Sequence, residues 1–222
     1  MKGTAVFFAC VVLACPVIAI AQTPLDSGIV LIPLRSLDEI QADIADAKNR
    51  LSVAEARVPV VEGAEKQAQM QIDPWAKQID LVKAKVDVAR NEKNESAKTA
   101  LEAEKNALER QKNLAENNHD LRKAETDLAK AHSEWIATQL RAWEFEQELA
   151  MKRIEREALV KSGTTTIGLA AVDQVVRNLE RKALGAQKDE ADKSGNRADK
   201  EKNIVSKRIK ILETQDKIMT GQ

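Results

Sequence analysis

The sequence ALVKSGTTTIGLAAVDQV, residues 158–175, determines the path of the chain. Between Trp75 and Ser162 there is neither glycine nor proline, and then two glycines and three threonines fall within six positions. Ser162-Gly163 is typical of the end of a helix, and the hydroxyl groups of the three threonines that follow are suited to capping a new helix. We therefore interpret residues 163–166 as a turn.

Apolar residues resume after this turn at the three-four spacing of a helix, at Leu169, Val172, Val176, Leu179 and Ala183. The seam continues more thinly at seven-residue steps through Ala191, Ala198, Val205, Leu212 and Met219. Residues 167–222 are therefore predicted to form a helical segment that returns antiparallel along the helix before the turn.

Upstream of the turn, apolar residues repeat every seven positions. With Leu37 as heptad position a, positions a and d stay mostly apolar in one register from residue 37 to residue 149. A strict seven-residue repeat is typical of helices that supercoil around at least one partner helix. Residues 37–162 are therefore predicted to form long, kinked coiled-coil helices, and the fold class is predicted to be all-α and elongated.

The same region contains candidate breaks. Pro59 either ends or kinks the first helix, because proline removes an internal hydrogen bond, and Asp73-Pro74 is typical of a helix start. The unbroken register favours kinks over hairpins at both prolines. Residues 90–98 and 116–120 are polar along the seam but contain no glycine. The sequence leaves open whether residues 75–162 form one helix of about 130 Å or bend at either place.

A second apolar stripe, at heptad position b, joins the first between residues 135 and 149. A single a/d seam is too narrow to cover so wide a face, so this part of the helix needs two neighbours. The returning segment supplies one of them. We interpret the wide face either as core or as an apolar surface for clients; it comprises Trp135, Ile136, Leu140, Trp143, Phe145 and Leu149.

Residues 1–21 are typical of a secretory signal peptide, with Lys2, an apolar run and a small-x-small cleavage site ending at Ala21. Lipoprotein processing at Cys15 and an uncleaved anchor are the alternatives. Cys10 and Cys15 are the two cysteines of the chain, so the remainder has no thiol for disulfides, nucleophilic attack or soft-metal binding. We expect export to the periplasm or the extracellular space, with residues 22–36 as an irregular leader.

The composition argues against several classes of function. The chain has 35 basic and 35 acidic residues, and such a balance disfavours nucleic-acid binding, which needs a one-signed basic face. His119 and His132 are thirteen residues apart and lack the spacing that places two metal ligands on one helical face. There is no glycine-rich phosphate loop. We expect no catalytic site, metal, cofactor or small-molecule substrate, and no transmembrane segment once the signal peptide is removed.

Residues 153–180 locally resemble the hairpin tip of the periplasmic adaptor (membrane-fusion) proteins of tripartite efflux and secretion systems. In that family an arginine, a leucine and a serine seven residues after the leucine contact the outer-membrane channel. Arg156, Leu159 and Thr166 stand near those positions, with Arg156 one place closer to the leucine and threonine in place of serine. The resemblance implies that these three residues contact a partner.

The expected function is that of a non-catalytic, exported coiled-coil protein with a structural, bridging or adaptor role in the cell envelope. Its expected partner is a second copy of the chain or another helical envelope protein, with the oligomer number and the strand direction left open. The alternative is a holdase-like periplasmic chaperone that binds apolar clients between its helical arms. The two hypotheses differ in whether the aromatic cluster near residues 135–149 is covered or exposed.

Overall fold

The computed structural model describes residue 32 and residues 35–220, which form four helices and no strand within that part of the chain. The helices are α1 (Leu37–Met70), α2 (Ile72–Asn91), α3 (Glu95–Lys161) and α4 (Thr166–Thr220). The predicted all-α fold, with a long helix and a returning antiparallel helix, is confirmed. The signal peptide (1–21) with its cysteines, and all but three residues of the leader (22–36), lie outside the described residues.

Helix α1 begins with a capping box. The Ser36 hydroxyl accepts a hydrogen bond from the Glu39 backbone N–H (3.2 Å), and the Glu39 carboxylate accepts one from the Ser36 N–H (3.0 Å). Together they satisfy two of the N–H groups that a helix start leaves unpaired. Helix α1 continues through Pro59, so this proline does not end the helix, although a proline inside a helix costs about 3 kcal/mol.

The break between α1 and α2 is a single residue, Gln71, in a right-handed helical conformation. Pro74 accounts for it: proline has no N–H to donate to the carbonyl of Met70 four residues earlier, and its ring clashes with that carbonyl. Helix α1 ends at Met70 and α2 begins at Ile72. The expected break near Pro74 is therefore present, and it is not a hairpin.

The chain reverses between α2 and α3. The Asn94 N–H donates to the Ala89 carbonyl (2.9 Å), and the Lys93 N–H donates to the Arg90 carbonyl (3.1 Å), the hydrogen-bond pattern of a Schellman motif. Lys93 holds the left-handed conformation of this motif at φ 57°. The bend that the sequence left open at residues 90–98 is thus a full reversal, whereas residues 116–120 are helical.

Helix α3, 67 residues and about 100 Å long, is the helix on which the other three pack. Helix α1 runs antiparallel to it, since Glu62 pairs with Lys130 (2.8 Å) and Arg50 bonds Gln139 (2.8 Å). Helix α2 packs on α3 after the chain reverses between them. The heptad repeat of residues 37–91 therefore finds its partner helix within the same chain. The supercoil that this repeat predicts stays a prediction.

Two core clusters show how α3 is covered near its C-terminal end. Ile40 and Ile44 of α1 pack with Ala150, against which Leu140 and Trp143 also lie. On another face, Leu149 packs with Val176, Leu179 and Ala183 of α4. The wide apolar face predicted for this segment does have two neighbours, one from each side.

Helix α4 is held along α3 by three ion pairs at seven-residue steps on both helices: Asp120 with Lys207 (2.7 Å), Asp127 with Lys200 (3.5 Å) and Glu134 with Lys193 (2.7 Å). Exposed pairs contribute only a few tenths of a kcal/mol each, so they align the helices more than they stabilise them. The Lys207 ammonium, which bonds the Asp120 carboxylate, lowers the pKa of that carboxyl group.

The apolar seam predicted for the second half of α4 is not the face that contacts α3. Val205 and Leu212 are exposed, and the buried residues are their preceding neighbours, Ile204 and Ile211. Charged side chains occupy most of the positions of α4 that face α3 between residues 190 and 207. A prediction from apolar residues alone therefore chose the exposed face of α4, and it is wrong.

Candidate functional site

The turn that the sequence predicted between α3 and α4 is formed by a second Schellman motif. The Thr164 N–H donates to the Leu159 carbonyl (3.1 Å), the Gly163 N–H donates to the Val160 carbonyl (3.1 Å), and Gly163 has φ 77°. The Ser162 hydroxyl adds a bond to the Leu159 carbonyl (2.8 Å). The end of the α3–α4 hairpin is therefore closed by its own backbone and side-chain hydrogen bonds.

The three residues expected to contact a partner lie around this turn. Arg156 forms an ion pair across the hairpin with Asp173 of α4, with Nε and Oδ1 2.5 Å apart. Leu159 is half-buried, and Thr166, the first residue of α4, is exposed. Arg156 thus serves to join the two helices, while Leu159 and Thr166 flank the turn.

Sequence reasoning missed an apolar surface at this hairpin end. Ile167 is 87% exposed, although isoleucine is among the residues most often buried. Ile154, Val160 and Val175 are also exposed. The signal was present in the sequence, because Ile167 stands outside the three-four series that begins at Leu169 and faces α3.

The wide apolar face of α3 is fully buried at two of its residues and partly buried at the other four. Ile136 and Leu149 are each 1% exposed, Trp143 and Leu140 pack against α1 residues, and Phe145 packs against the α4 cluster. These contacts with α1 and α4 favour the interpretation of this face as core.

Trp135 is covered differently, by polar and charged groups. Its indole N–H donates to the Glu190 carboxylate (3.2 Å), and the Arg197 guanidinium lies 4.7 Å from the ring centroid. A cation over an indole face is stabilised by the ring quadrupole. The residues that cover Trp135 therefore come from the middle of α4.

A groove of about 390 Å³ lies between α1 and α4, with α3 as its floor. His132 lines it and is half-buried. Burial lowers the pKa of His132, and the positive charges of Arg197, Arg57 and Arg50 lower it further, with only Glu201 acting in the opposite sense. Three arginines and two glutamates line the groove, and one of these arginines, Arg197, is paired with Glu201.

Within residue 32 and residues 35–220, no group of three or more His, Cys, Asp or Glu side chains is placed to hold a metal ion. None of the helices in that part of the chain is both long enough and apolar enough to cross a membrane. Comparison of the chain with models of known protein families, with curated proteins and with solved structures finds no match.

Proposed function

We propose that the protein is a non-catalytic adaptor or bridging protein of the cell envelope, which presents the end of its α3–α4 hairpin to a partner protein. The observation that carries this proposal is the exposure of Ile167, at 87%, beside the turn. An apolar side chain in water at the tip of a helical pair gains free energy when a partner covers it, at about 25 cal/mol per Å² removed from water.

Three further features support this proposal. The signal peptide predicts export. The Schellman motif and the Arg156–Asp173 ion pair fix the hairpin end, so little conformational entropy is lost when a partner binds. The local resemblance of residues 153–180 to adaptor hairpin tips falls on this same surface, which makes the channel or another helical envelope protein the first partner to test.

A second surface supports self-association or, as the alternative function, a holdase-like chaperone. Val53, Val60, Leu81 and Val88 all occupy heptad position c, on the side of α1 and α2 away from α3, and each is more than half exposed. We call these four residues the outer stripe. Because its residues are seven positions apart, a helix of a second copy can pack along the outer stripe. Because the stripe is apolar and exposed, it can also bind an unfolded client.

Site-specific photo-cross-linking in intact cells tests the hairpin proposal. A photoreactive residue at position 167 should link one defined envelope protein, and Leu159→Asp in the same chain should abolish that link while circular dichroism shows unchanged helicity. The matched control carries the photoreactive residue at exposed Val60 together with Leu159→Asp, and its links should be unaffected. A link from position 167 that survives Leu159→Asp would refute the proposal.

An aggregation assay with an unfolding client distinguishes the chaperone alternative from the bridging function. If the protein is a bridging protein, it should not suppress the aggregation of a thermally unfolding model enzyme at equimolar ratio. Suppression that is lost in a Val53→Asp, Val60→Asp variant, and kept in Ile167→Asp, would instead assign holdase activity to the outer stripe.

A further inference from the structure

Helices α1 and α2 carry a second row of exposed side chains beside the outer stripe. The residues of this row lie three positions after those of the stripe, at heptad position f. They are Ala56, Gly63, Met70 and Ala84. Together the two rows have the alternating three-four spacing that forms the core of a two-stranded coiled coil. We call the two rows the outer seam; within residues 53–88 it is interrupted by Gln67, Pro74 and Lys77.

The break at Gln71 does not divide the outer seam. Gln71 keeps a right-handed helical conformation, with φ −76° and ψ −14°, and positions a and d are buried on both sides of it, at Ala68 and at Ile79. Because α3 covers this face of both helices, their c and f positions point in the same direction. The seam therefore spans residues 53–88, about five heptads, and three to four are enough to indicate a coiled coil.

Gly63 has no packing role within its own chain. It lies in the interior of α1, where glycine is less favourable than alanine. A Cβ atom added to Gly63 would meet nothing within 4 Å, so the fold of the single chain does not require glycine there. Glycine is suited to a place that another backbone approaches closely. Gly63 therefore fits a second helix packed against the outer seam.

The outer seam is complementary to itself when the second helix runs antiparallel. In such a pair, a c residue of one copy lies opposite an f residue of the other. With Gln67 opposite Met70 of the second copy, large side chains at c meet small residues at f, which allows close packing. The pairs are Val53 with Ala84, Pro74 with Gly63, and Leu81 with Ala56, each formed twice in the dimer.

The charges beside the seam favour the same orientation. Lys66 and Asp73 occupy heptad position b, on one border of the seam, and neither makes an ion pair with the residues that the structure describes. In the antiparallel register Lys66 of each copy lies beside Asp73 of the other. A parallel register would instead place Gln71 beside Lys66 and Gln78 beside Asp73. The antiparallel dimer therefore gains two ion pairs that the parallel one lacks.

Two less favourable contacts of this register are offset. Lys77 lies opposite Val60 of the second copy, where its methylene groups pack and its ammonium reaches solvent. Arg50 approaches Lys85 of the second copy on the other border, but Arg50 is already paired with Asp46 of its own chain (2.8 Å). Neither contact buries an unpaired charge, so neither prevents the antiparallel register.

We propose that two copies of the chain form an antiparallel dimer through their outer seams, with the twofold axis beside residues 67–70. The same surface of each copy then contacts the other, as in most homodimers. Because Ile40 packs at the level of Ala150, each α3–α4 hairpin end lies roughly 60 Å from the axis. The two hairpin ends point in opposite directions, roughly 125 Å apart. The dimer does not depend on the function proposed for the hairpin end; if that function holds, one dimer joins two partner molecules.

Sedimentation equilibrium of the full chain tests the dimer. We expect a monomer–dimer equilibrium. Val60→Asp should weaken association about a hundredfold, because an unpaired charge costs about tenfold and the interface contains it twice. Ile209→Asp, at an exposed apolar residue of α4, is the control and should have no effect. A wild-type chain that stays monomeric at about 100 μM, far above a micromolar Kd, would overturn the proposal.

Gly63→Leu separates the dimer from the fold. Leucine has open space in the single chain, so circular dichroism should show unchanged helicity. Against Pro74 of the second copy it has no space, so the dimer should be lost. Gly195→Leu, in α4 and with the same open space, should keep the dimer. Unchanged dimerisation of Gly63→Leu, or equal loss in Gly195→Leu, would contradict the outer seam as the interface.

Cysteine pairs test the orientation, in a chain that carries Cys10→Ser and Cys15→Ser. A mixture of Ala56→Cys and Leu81→Cys chains should oxidise to a disulfide-linked heterodimer, and neither variant alone should link to itself. In a parallel dimer the two positions would be about 37 Å apart, far beyond the reach of a disulfide, and each variant would link to itself. That second pattern would overturn the antiparallel arrangement.

Small-angle scattering adds the length of the assembly. The antiparallel dimer should reach roughly 125 Å, against roughly 100 Å for one chain or a parallel dimer. A dimer no longer than one chain would likewise overturn the arrangement. The photo-cross-link from position 167 does not require the dimer, so failure of the hairpin proposal and failure of the dimer are distinguishable.

Discussion

Glu146 is a carboxylate buried between two helices. It is 6% exposed on α3, and its partner Arg35, 3.4 Å away, is shared with Asp43. Burial raises the pKa of Glu146, and the attraction of Arg35 offsets this only in part. The folded state therefore favours the protonated form more than the unfolded chain does. The contribution of Glu146 to stability is fully present below the pKa of the unfolded chain and is lost as the pH rises through the raised, folded value.

The raised pKa of Glu146 leads to a prediction for Glu146→Gln, in which the side chain is neutral at every pH. At pH 7 the variant should equal or exceed the wild type in free energy of unfolding, by up to about 1 kcal/mol, since replacing a buried ion pair is often neutral or stabilising. At pH 4 the difference should shrink toward zero, because wild-type Glu146 is then largely protonated. Urea titrations followed by circular dichroism at both pH values measure this.

Glu148→Gln is the matched control, because Glu148 lies two residues away on the exposed face of α3. It should leave stability unchanged at both pH values. A Glu146→Gln chain that is less stable than the wild type at pH 7, and by a smaller margin at pH 4, would mean that Arg35 outweighs burial and that the sign is the reverse.

The two helix reversals use one motif with different residues in the left-handed position. Gly163 occupies it between α3 and α4, and Lys93 occupies it between α2 and α3. A residue with a Cβ atom pays about 1–2 kcal/mol for that conformation, whereas glycine does not. Asn94 helps to offset this cost, because its side chain accepts a bond from the Ala97 N–H (3.1 Å) and so caps the start of α3.

Replacing Lys93 by glycine should therefore stabilise the protein. We expect a gain of about 0.5–1 kcal/mol in the free energy of unfolding, after allowing for the greater chain entropy of glycine in the unfolded state. Gly163→Ala is the converse variant and should cost about 1 kcal/mol, with no steric clash, because nothing lies within 4 Å of an added Cβ atom. Loss of stability in Lys93→Gly would show that the reversal at residues 92–94 is not formed in solution.

These motifs also show how far the sequence predicts the elements. Glycine is the signal of a left-handed cap, so the turn at Gly163 was predicted and the reversal at Lys93 was left as an undecided bend. The a/d register located buried residues such as Ile40, Ala47 and Val86, because core packing imposes it. The separate seven-residue series of α4, which includes Val205 and Leu212, selected the wrong face of its second half, where ion pairs to Asp120, Asp127 and Glu134 lie on the side facing α3. The exposure of Ile167 was missed although its position outside the three-four series of α4 indicated it.

At the scale of the whole molecule, the heptad repeat of residues 37–91 no longer requires a second chain, because α3 of the same chain covers it. The outer stripe of α1 and α2 is the surface that remains available for self-association. Pairing within the chain uses the faces of α1 and α2 that contact α3, and association through the outer stripe would use the opposite faces; this separation can be measured.

Carbodiimide treatment, which joins a carboxylate directly to a lysine in an ion pair, tests the separation in the full chain. It should link Glu62 to Lys130, Asp120 to Lys207 and Glu134 to Lys193, whose paired atoms are 2.7–2.8 Å apart. In a mixture of nitrogen-15-labelled and unlabelled protein, mass spectrometry should find each linked peptide pair carrying a single isotope. Sedimentation equilibrium on the same mixture reports the copy number, and Val60→Asp should lower any value above one without changing the links. Linked peptides of mixed isotope would mean that α1 or α4 packs on the α3 of another chain, and the intramolecular fold described above would then be wrong.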